Sequence, residues 1–521
     1  MPKNILYIMA DQMQANALPM HGGPSLVPNL ERLAGEGTVF DAAYCPSPIC
    51  ASSRFSMMAG QLPHKVGAYD NSTEFPCSLP TFAHYLRNAG YRTCLSGKMH
   101  FVGPDQLHGF EERVTTDIYA SDFTWAADWS QTDEVYSPSK MSPAGAIESG
   151  LCARSMQLDY DEEVTYAARR RLFDYARTDR DQPFMMCVSY THPHNPFIVT
   201  QEYWDRYEGV DIPAPAVPAI PYEDLDPWAQ RYFRTILQDE YEVSQEELMR
   251  ARRCYYGMIS FVDDQIGMLL QTLAETGFDK DTIVIFASDH GEMLGERGSW
   301  YKFNPFEPSI RVPLIAHIPG VEQPKREMRA VSLMDLFPTF LDIASPDTPV
   351  ELVEPLDGQS LMPMLLGQDT TRCDEVIVEY MAEGVYDPAV ILRRNRMKYV
   401  HCGDDPGLLF DLNNDPLELT NLATSSTHSK LAQEMRDEIL SGWDLPAIRE
   451  DVMKVQARRR VVQKAIHVGA TTAWDYTPPR DGTKEYVRPN PSIKSTTDIK
   501  RKARYPYVPA AKPQHPRDTE S

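Results

Sequence analysis

No stretch of this sequence is apolar for long enough to span a membrane. The opening residues, MPKNILYIMADQMQ, lack the pattern of a secretory leader. Ile5 to Ala10 is too short for its apolar middle, and acid and amide follow where a cleavage site belongs. Cysteine is sparse: nine residues lie scattered with no CxxC pair. That excludes a disulfide framework, fits reduced thiols and sets the expectation of a cytoplasmic protein. Basic charge is short as well. Lys and Arg number 51 against 74 Asp and Glu, leaving a formal charge of −23. A nucleic-acid partner is therefore not expected, since phosphate contacts need an excess of basic residues.

What is present suits an ordinary globular protein. The 521 residues are 42% apolar and 24% charged, enough for a large core and more than one folding unit. The 42 prolines point to long ordered loops. Four apolar runs share one design. Asn4–Ala10 ends at Asp11, and YRTCLSGKMH (Tyr91–His100) ends in Lys98 and His100. PFMMCVSYTHPHNPF (Pro183–Phe197) ends in His192 and His194, and DTIVIFASDHGEMLGE (Asp281–Glu296) in Asp289 and His290. Continuous apolar runs of this length are the mark of buried parallel strands. Ligands of open α/β sheets bind at the carboxyl ends of such strands. The pattern predicts an α/β fold with one site assembled from several strand ends.

A helix is predicted over Gln245–Glu275, opened by a Ser244/Glu247 capping box and closed at Gly277. Its apolar face is Leu248, Tyr255, Ile259, Val262, Ile266, Leu270 and Leu273. Another helix is expected to begin near Cys50 and run to Gly60. The proline-rich stretch Ile212–Pro221 is extended. Three parts are expected: a catalytic α/β domain over 1–370, a small α+β subdomain over 371–450, and a C-terminal arm over 451–521. AVILRRNRMKYVHC and GLLFDL supply the subdomain's antiparallel strands, and a helix follows from Ser429 to Leu440. The basic, proline-rich stretch from Asp451 is too poor in apolar residues to fold alone. It reads equally as an unpacked tail or as an arm laid on this subunit or a neighbour, since Trp474, Tyr476, Tyr486, Tyr505 and Tyr507 are costly to leave in water.

Asp11-Gln12 and Asp289-His290 offer two carboxylates, an amide oxygen and an imidazole to a divalent cation. Lys98 with His100, His192 with His194, and Lys302 add three groups of cationic character at strand ends. Converging with a metal on an oxyanion, they suit cleavage of a sulfate or phosphate ester.

CASSR (Cys50–Arg54), followed by FSMMAGQLP, resembles the signature of the type I sulfatases. DQ near the N-terminus, SGKMH, PHNP, SDHGEMLGE and the following WYK fall in that family's order. GQLPHKVGAYDN, LSGKMHFVGPDQLHGFEERVTTDIY, EYMAEG and TTDIKRKARYP are similar to the choline sulfatases in particular. The resemblance implies an alkaline-phosphatase-like fold, a mostly parallel sheet between helices. It implies hydrolysis of choline-O-sulfate or a related alkyl sulfate through a formylglycine made from Cys50 by a maturase. Its hydrated aldehyde attacks sulfur with one hydroxyl and expels sulfate with the other. One divalent ion is implied, calcium first, with manganese or magnesium as alternatives. Carried over by position, Asp11, Gln12, Asp289 and His290 match the metal positions and Arg54 partners Cys50. Lys98, His100, His194 and Lys302 match the grip on sulfate and leaving group, His194 being preferred to His192 for its HxP pattern.

A quaternary ammonium offers no N–H donor, so aromatic faces and a carboxylate are expected around it. DIYASDFTWAADW supplies Tyr119, Phe123, Trp125 and Trp129, with a core role as the alternative for Phe123 and the tryptophans. Glu379 or Glu383 supplies the charge. By the resemblance the arm reaches a neighbour's pocket in a dimer or tetramer, making Asp498 and Tyr505 candidates. Ser52 departs from the signature, which has Pro or Ala there. Two other readings stay open: a phosphonate monoester or phosphodiester hydrolase on the same scaffold, and a silent choline-type binder with unmodified Cys50.

Overall fold

The computed structural model describes residues 3–131, 139–368, 371–471, 473–479, 482, 499–501 and 503–509. Eight strands form the main sheet: β1 (Asn4–Ala10), β2 (Thr38–Phe40), β3 (Arg92–Gly97), β4 (Glu112–Arg113), β5 (Phe184–Ser189), β6 (Thr282–Ser288), β7 (Leu314–His317) and β8 (Arg326–Glu327). Their spatial order is β8-β2-β7-β6-β1-β5-β3-β4. The central β6-β1-β5-β3-β4 block is parallel. β7 runs antiparallel to both of its neighbours. Every residue of β1, β5 and β6 is buried. Buried on both faces, such strands show no polar alternation, hence the continuous apolar runs.

Register decides where the site forms. Ala10 pairs with Ser288, Met9 with Ser189, and Gly97 with Ser189. The polar residues that follow each strand therefore emerge together at one end of the sheet.

Helices cover the sheet. α1 (Cys50–Ala59), α2 (Phe82–Asn88) and α5 (Leu336–Ala344) pack on one another. Phe82 meets Phe337 and Phe340 edge-on, and Tyr7 of β1 touches Phe340. α3 (Met156–Thr178) packs against β3, β5 and α4 (Gln245–Thr276). α4 begins at the Ser244/Glu247 capping box and ends at Gly277 in the left-handed region, φ 68°. Of its predicted apolar face, Tyr255, Ile259, Val262, Ile266 and Leu273 are buried. Leu248 and Leu270 lie partly exposed against the same core.

A second sheet is antiparallel: β9 (Glu375–Tyr380), β10 (Ala389–Arg394), β11 (Met397–Cys402) and β12 (Leu408–Asp411). α6 (Ser429–Gly442) closes its own small core with Met435 and Ile439 against Val390, Leu392 and Tyr399.

The boundary expected at residue 451 falls inside a helix: α7 runs over Leu445–Ile466, capped by Asp444 and with proline in its first turn. It packs on this subunit through Val452, Gln456 and Arg459. Ile448, Val452 and Val455 line the same face at helical spacing, but Gln456 and Arg459 are buried among them and thin the apolar signal. Among the described residues no helix is long and apolar enough to cross a membrane.

Candidate active site

Cys50 is the first residue of α1, whose ten residues are all buried. Ser53 Oγ donates to the Asp289 carbonyl at 2.5 Å, and Ala51 N donates to Asn71 Oδ1 at 3.0 Å. The first bond ties the start of the helix to the end of β6, and the second ties it to the loop carrying Asn71. Cys50 Sγ lies 3.1 Å from His290 Nε2 and 3.9 Å from Asp11 Oδ1.

Arg54, one turn along α1, locks the floor. Its Nε donates to Asp289 Oδ2 at 2.8 Å, and one terminal nitrogen reaches the Lys98 carbonyl at 2.7 Å and Ser189 Oγ at 2.8 Å. The other lies 3.4 Å from Asp11 Oδ2. One guanidinium thus touches residues from the ends of β1, β3, β5 and β6. Lys98 Nζ pairs with Asp11 Oδ2. Burial disfavours charge on Asp11, but the Lys98 ammonium and the Arg54 guanidinium hold its carboxyl well below the usual range. Burial also opposes charge on Arg54 and Lys98, yet the buried carboxylates raise both above their ordinary values.

The imidazoles are held neutral. Burial pulls His290 down to about 4. Burial and Lys302 together push His194 well below its ordinary value. Burial lowers His100, whose ring nitrogens have no partner among the described residues. His194 Nε2 is 2.9 Å from Lys302 Nζ, which also donates to Gln12 Oε1 at 2.5 Å. Gln12 stands in the left-handed region, φ 66°, and its Nε2 donates to Asn195 Oδ1 at 3.2 Å and Glu292 Oε2 at 2.5 Å. The amide oxygen is therefore turned to the site. Three cationic groups, two carboxylates and neutral imidazoles leave the cluster positive overall, the balance an oxyanion needs.

Asp11, Cys50, Asp289 and His290 each bring one ligand atom to within 4.8 Å of the others. His290 Nδ1 lies 3.0 Å from the Gly291 carbonyl and donates to it, so Nε2 keeps its lone pair toward the cluster. Two carboxylates and this imidazole form a donor set fit for a divalent cation.

His192 is not part of this cluster. It is buried, its Nδ1 2.6 Å from Asp161 Oδ2 and its ring against Phe261. Of the predicted aromatics, Trp125 and Tyr119 are half-buried at the mouth. The His100 ring lies 5.1 Å from Tyr119 and 5.4 Å from Trp125, and Lys98 Nζ sits 4.3 Å over Tyr119. Phe123 instead packs edge-on against Trp474. Trp129 is 2% exposed, and its Nε1 donates to the Ala382 carbonyl at 3.0 Å, behind Glu383. Both sit inward because the loop needs a core of its own. Both Glu379 oxygens are occupied, by His64 N and Nδ1 and by Trp443 Nε1. Glu383 differs. Oε1 accepts from Ser139 at 3.3 Å, whereas Oε2 is buried without a partner among the described residues. Burial pushes this carboxyl up to about 7. Tyr505 donates to the Thr276 carbonyl at 2.9 Å, at the C-terminus of α4 and the opposite end of the sheet. Asp498 lies outside the described residues.

Three supporting residues were missed from the sequence. Glu292, raised by burial to about 7, accepts Leu294 N and Tyr301 N besides the Gln12 amide. Asp117 takes the backbone N–H of Met99 and of His100, each at 3.0 Å, and fixes the turn after β3. Asn195 joins Gln12. Glu292 stood in SDHGEMLGE, two residues past His290, where its acid was the available signal.

Residues 3–346 match the sulfatase family model. Residues 295–442 match the N-sulphoglucosamine sulphohydrolase C-terminal model, and 450–505 match the choline sulfatase enzyme C-terminal model. The chain is 42% identical over 508 residues to a choline-sulfatase of Rhizobium meliloti (strain 1021), covering 96% of this chain and 98% of that one. It is 28% identical to an arylsulfatase of Clostridium perfringens, covering 84% and 93%. Among solved structures, the phosphonate monoester hydrolase of Agrobacterium radiobacter aligns with a TM-score of 0.70 at 25% identity, covering 86% of this chain and 96% of that one. With the strand-end cluster around Cys50 and Arg54 already in place, these matches settle the family: the chain belongs to the sulfatases, as a choline-sulfatase-like member.

Proposed function

We propose that this protein hydrolyses choline-O-sulfate to choline and sulfate. The observation that carries the reading is the meeting of two features at one mouth. A positive strand-end cluster surrounds Cys50, and the half-buried Tyr119 and Trp125 face His100 and Lys98 beside it. Glu383, with a buried oxygen free of partners among the described residues, is the carboxylate for the quaternary ammonium, in preference to the fully engaged Glu379.

The roles follow from position. Lys98 and Lys302 face the sulfate oxygens, and His100 borders both the sulfate and the aromatic wall. His194 and Lys302 share a hydrogen bond and stand where a proton passes to the departing alkoxide. Arg54 holds the base of residue 50 against Asp289. Asp11, Gln12, Asp289 and His290 would hold a divalent ion, calcium by oxygen count with manganese or magnesium as alternatives, whose charge offsets that of the sulfate oxygens. A formylglycine at Cys50, made by a maturase, supplies a geminal hydroxyl pair as nucleophile and release group. The reading extends to a cytoplasmic homo-oligomer in which Asp498 of the arm reaches a neighbour's mouth, while Tyr505 is engaged with Thr276 of its own chain.

A second reading is phosphonate monoester hydrolysis, supported by the fold shared with the Agrobacterium radiobacter hydrolase. Steady-state rates on choline-O-sulfate, methyl sulfate and a phenyl phosphonate monoester separate the two. A kcat/KM highest for choline-O-sulfate supports the first reading, and one highest for the phosphonate overturns it.

A further inference from the structure

The loop that carries Tyr119 and Trp125 has no regular structure of its own: Val114–Gln131 contains neither helix nor strand. A loop of this length has many backbone N–H groups to satisfy and little to fix its shape. Here the C-terminal region of the same chain supplies the partners. Gln456 Oε1 accepts from Trp129 N at 2.9 Å, and Gln463 Oε1 accepts from Phe123 N at 3.0 Å. Asp475 Oδ1 accepts from Ser121 N at 3.2 Å. Gln456 and Gln463 are seven residues apart, so both lie on one face of α7. Between them Arg460 pairs with Asp128 at 2.8 Å. Arg459 reaches Asp70 at 2.8 Å, whose other oxygen accepts from Ala127 N at 3.4 Å. Gln463 Nε2 also donates to Thr124 Oγ1 at 3.0 Å, one residue from Trp125. Trp474 closes on Phe123.

The same segment reaches the turn bearing Lys98 and His100. Tyr476 donates to the Arg113 carbonyl at 3.2 Å. Arg113 binds Asp117 at 2.6 Å, and Asp117 holds His100 N.

We propose that α7 and Trp474–Tyr476 form an intrachain clamp that sets leaving-group specificity, with Gln456 and Gln463 as positioning residues for the Trp125 wall. The helix donates no group to the reaction. It accepts the loop's backbone N–H groups and so fixes where Tyr119 and Trp125 stand beside His100. This rests on the reading above that the wall receives the choline group. Losing the clamp therefore weakens binding of the choline end and leaves the sulfate-handling cluster intact.

The test uses full-length protein carrying Gln456→Ala, Gln463→Ala or both, with Gln463→Glu as the conservative variant that keeps the accepting oxygen. Two readouts are taken. The first is KM and kcat on choline-O-sulfate and on methyl sulfate, which has no ammonium. The second needs no substrate: the rate of chymotryptic cleavage at Tyr119, Phe123 and Trp125, followed by mass spectrometry beside global thermal unfolding. Each alanine is expected to raise KM for choline-O-sulfate about tenfold, as one lost backbone hydrogen bond implies. The expected kcat and the methyl sulfate kinetics stay unchanged and loop cleavage speeds up, while Gln463→Glu, which keeps the bond from Phe123 N but loses the one to Thr124, falls between Gln463→Ala and the wild type. Unchanged cleavage in the double variant overturns the clamp. Faster cleavage with equal losses on both esters overturns the specificity role. A wild type without preference for choline-O-sulfate over methyl sulfate sinks the substrate reading instead, and the cleavage rates then still decide the clamp.

Discussion

The ammonium of Lys302 lies 2.9 Å from Nε2 of His194. His194 Nδ1 is committed to the Asn195 carbonyl at 2.8 Å, so Nε2 accepts and Lys302 donates. A proton is thereby stored beside a neutral imidazole at the mouth of the site. A poor leaving group needs that proton, and an aryl oxide of low basicity does not.

Lys302→Ala and His194→Ala are each expected to lower kcat on alkyl sulfates by about 100-fold or more, the scale of general acid catalysis. The loss on 4-nitrophenyl sulfate is expected to be several-fold only. Parallel kinetics on the two esters check this, and equal losses would assign the pair to binding alone.

Glu383 gives a pH dependence of defined sign. Burial raises its carboxyl to about 7, so it is neutral below that pH and charged above it. Attraction for a quaternary ammonium is present above about 7 and lost below. KM for choline-O-sulfate should therefore fall as pH rises through that value, while KM for methyl sulfate shows no such step. Glu383→Gln should flatten the profile and raise KM at pH 8. A bound cation favours the carboxylate, so the same inflection moves down in kcat.

Glu292 holds the Gln12 amide with its oxygen toward the cluster. Glu292→Ala is expected to weaken divalent metal binding by about 10- to 100-fold, as loss of a ligand's orienting partner does. Metal titration of chelated protein checks this, with Cys50 left unaltered.

Ser52 is fully buried in α1, and its Oγ has no partner among the described residues. Ser52→Ala removes a desolvated hydroxyl and restores a signature residue. Folded stability is expected to hold or to rise by about 1 kcal/mol. The aldehyde fraction at Cys50, read by peptide mass spectrometry after co-expression with a maturase, is expected to increase.

Much of this was legible because the chemistry sits at strand ends. Asp11, Lys98, His194 and Asp289 each follow a buried strand, and parallel pairing brings such ends together without further information. The long helix α4 announced itself through its capping box and apolar stripe. What stayed hidden depends on polar packing. α7 buries Gln456 and Arg459, which read as surface residues in sequence. Trp129 and Trp125 belong to one motif, yet only the folded loop sends one into the core and leaves the other at the mouth. The choice between Glu379 and Glu383 likewise rests on His64 and Trp443, remote in sequence from both.

The central claim is that Cys50, as formylglycine, is the nucleophile in choline-O-sulfate hydrolysis. Its most direct test is steady-state release of sulfate from choline-O-sulfate by protein with a mass-confirmed aldehyde at position 50, beside Cys50→Ala of equal metal content. The account predicts turnover by the first and none above background by the second. Absence of turnover by the aldehyde-bearing protein, or undiminished turnover by Cys50→Ala, would contradict it.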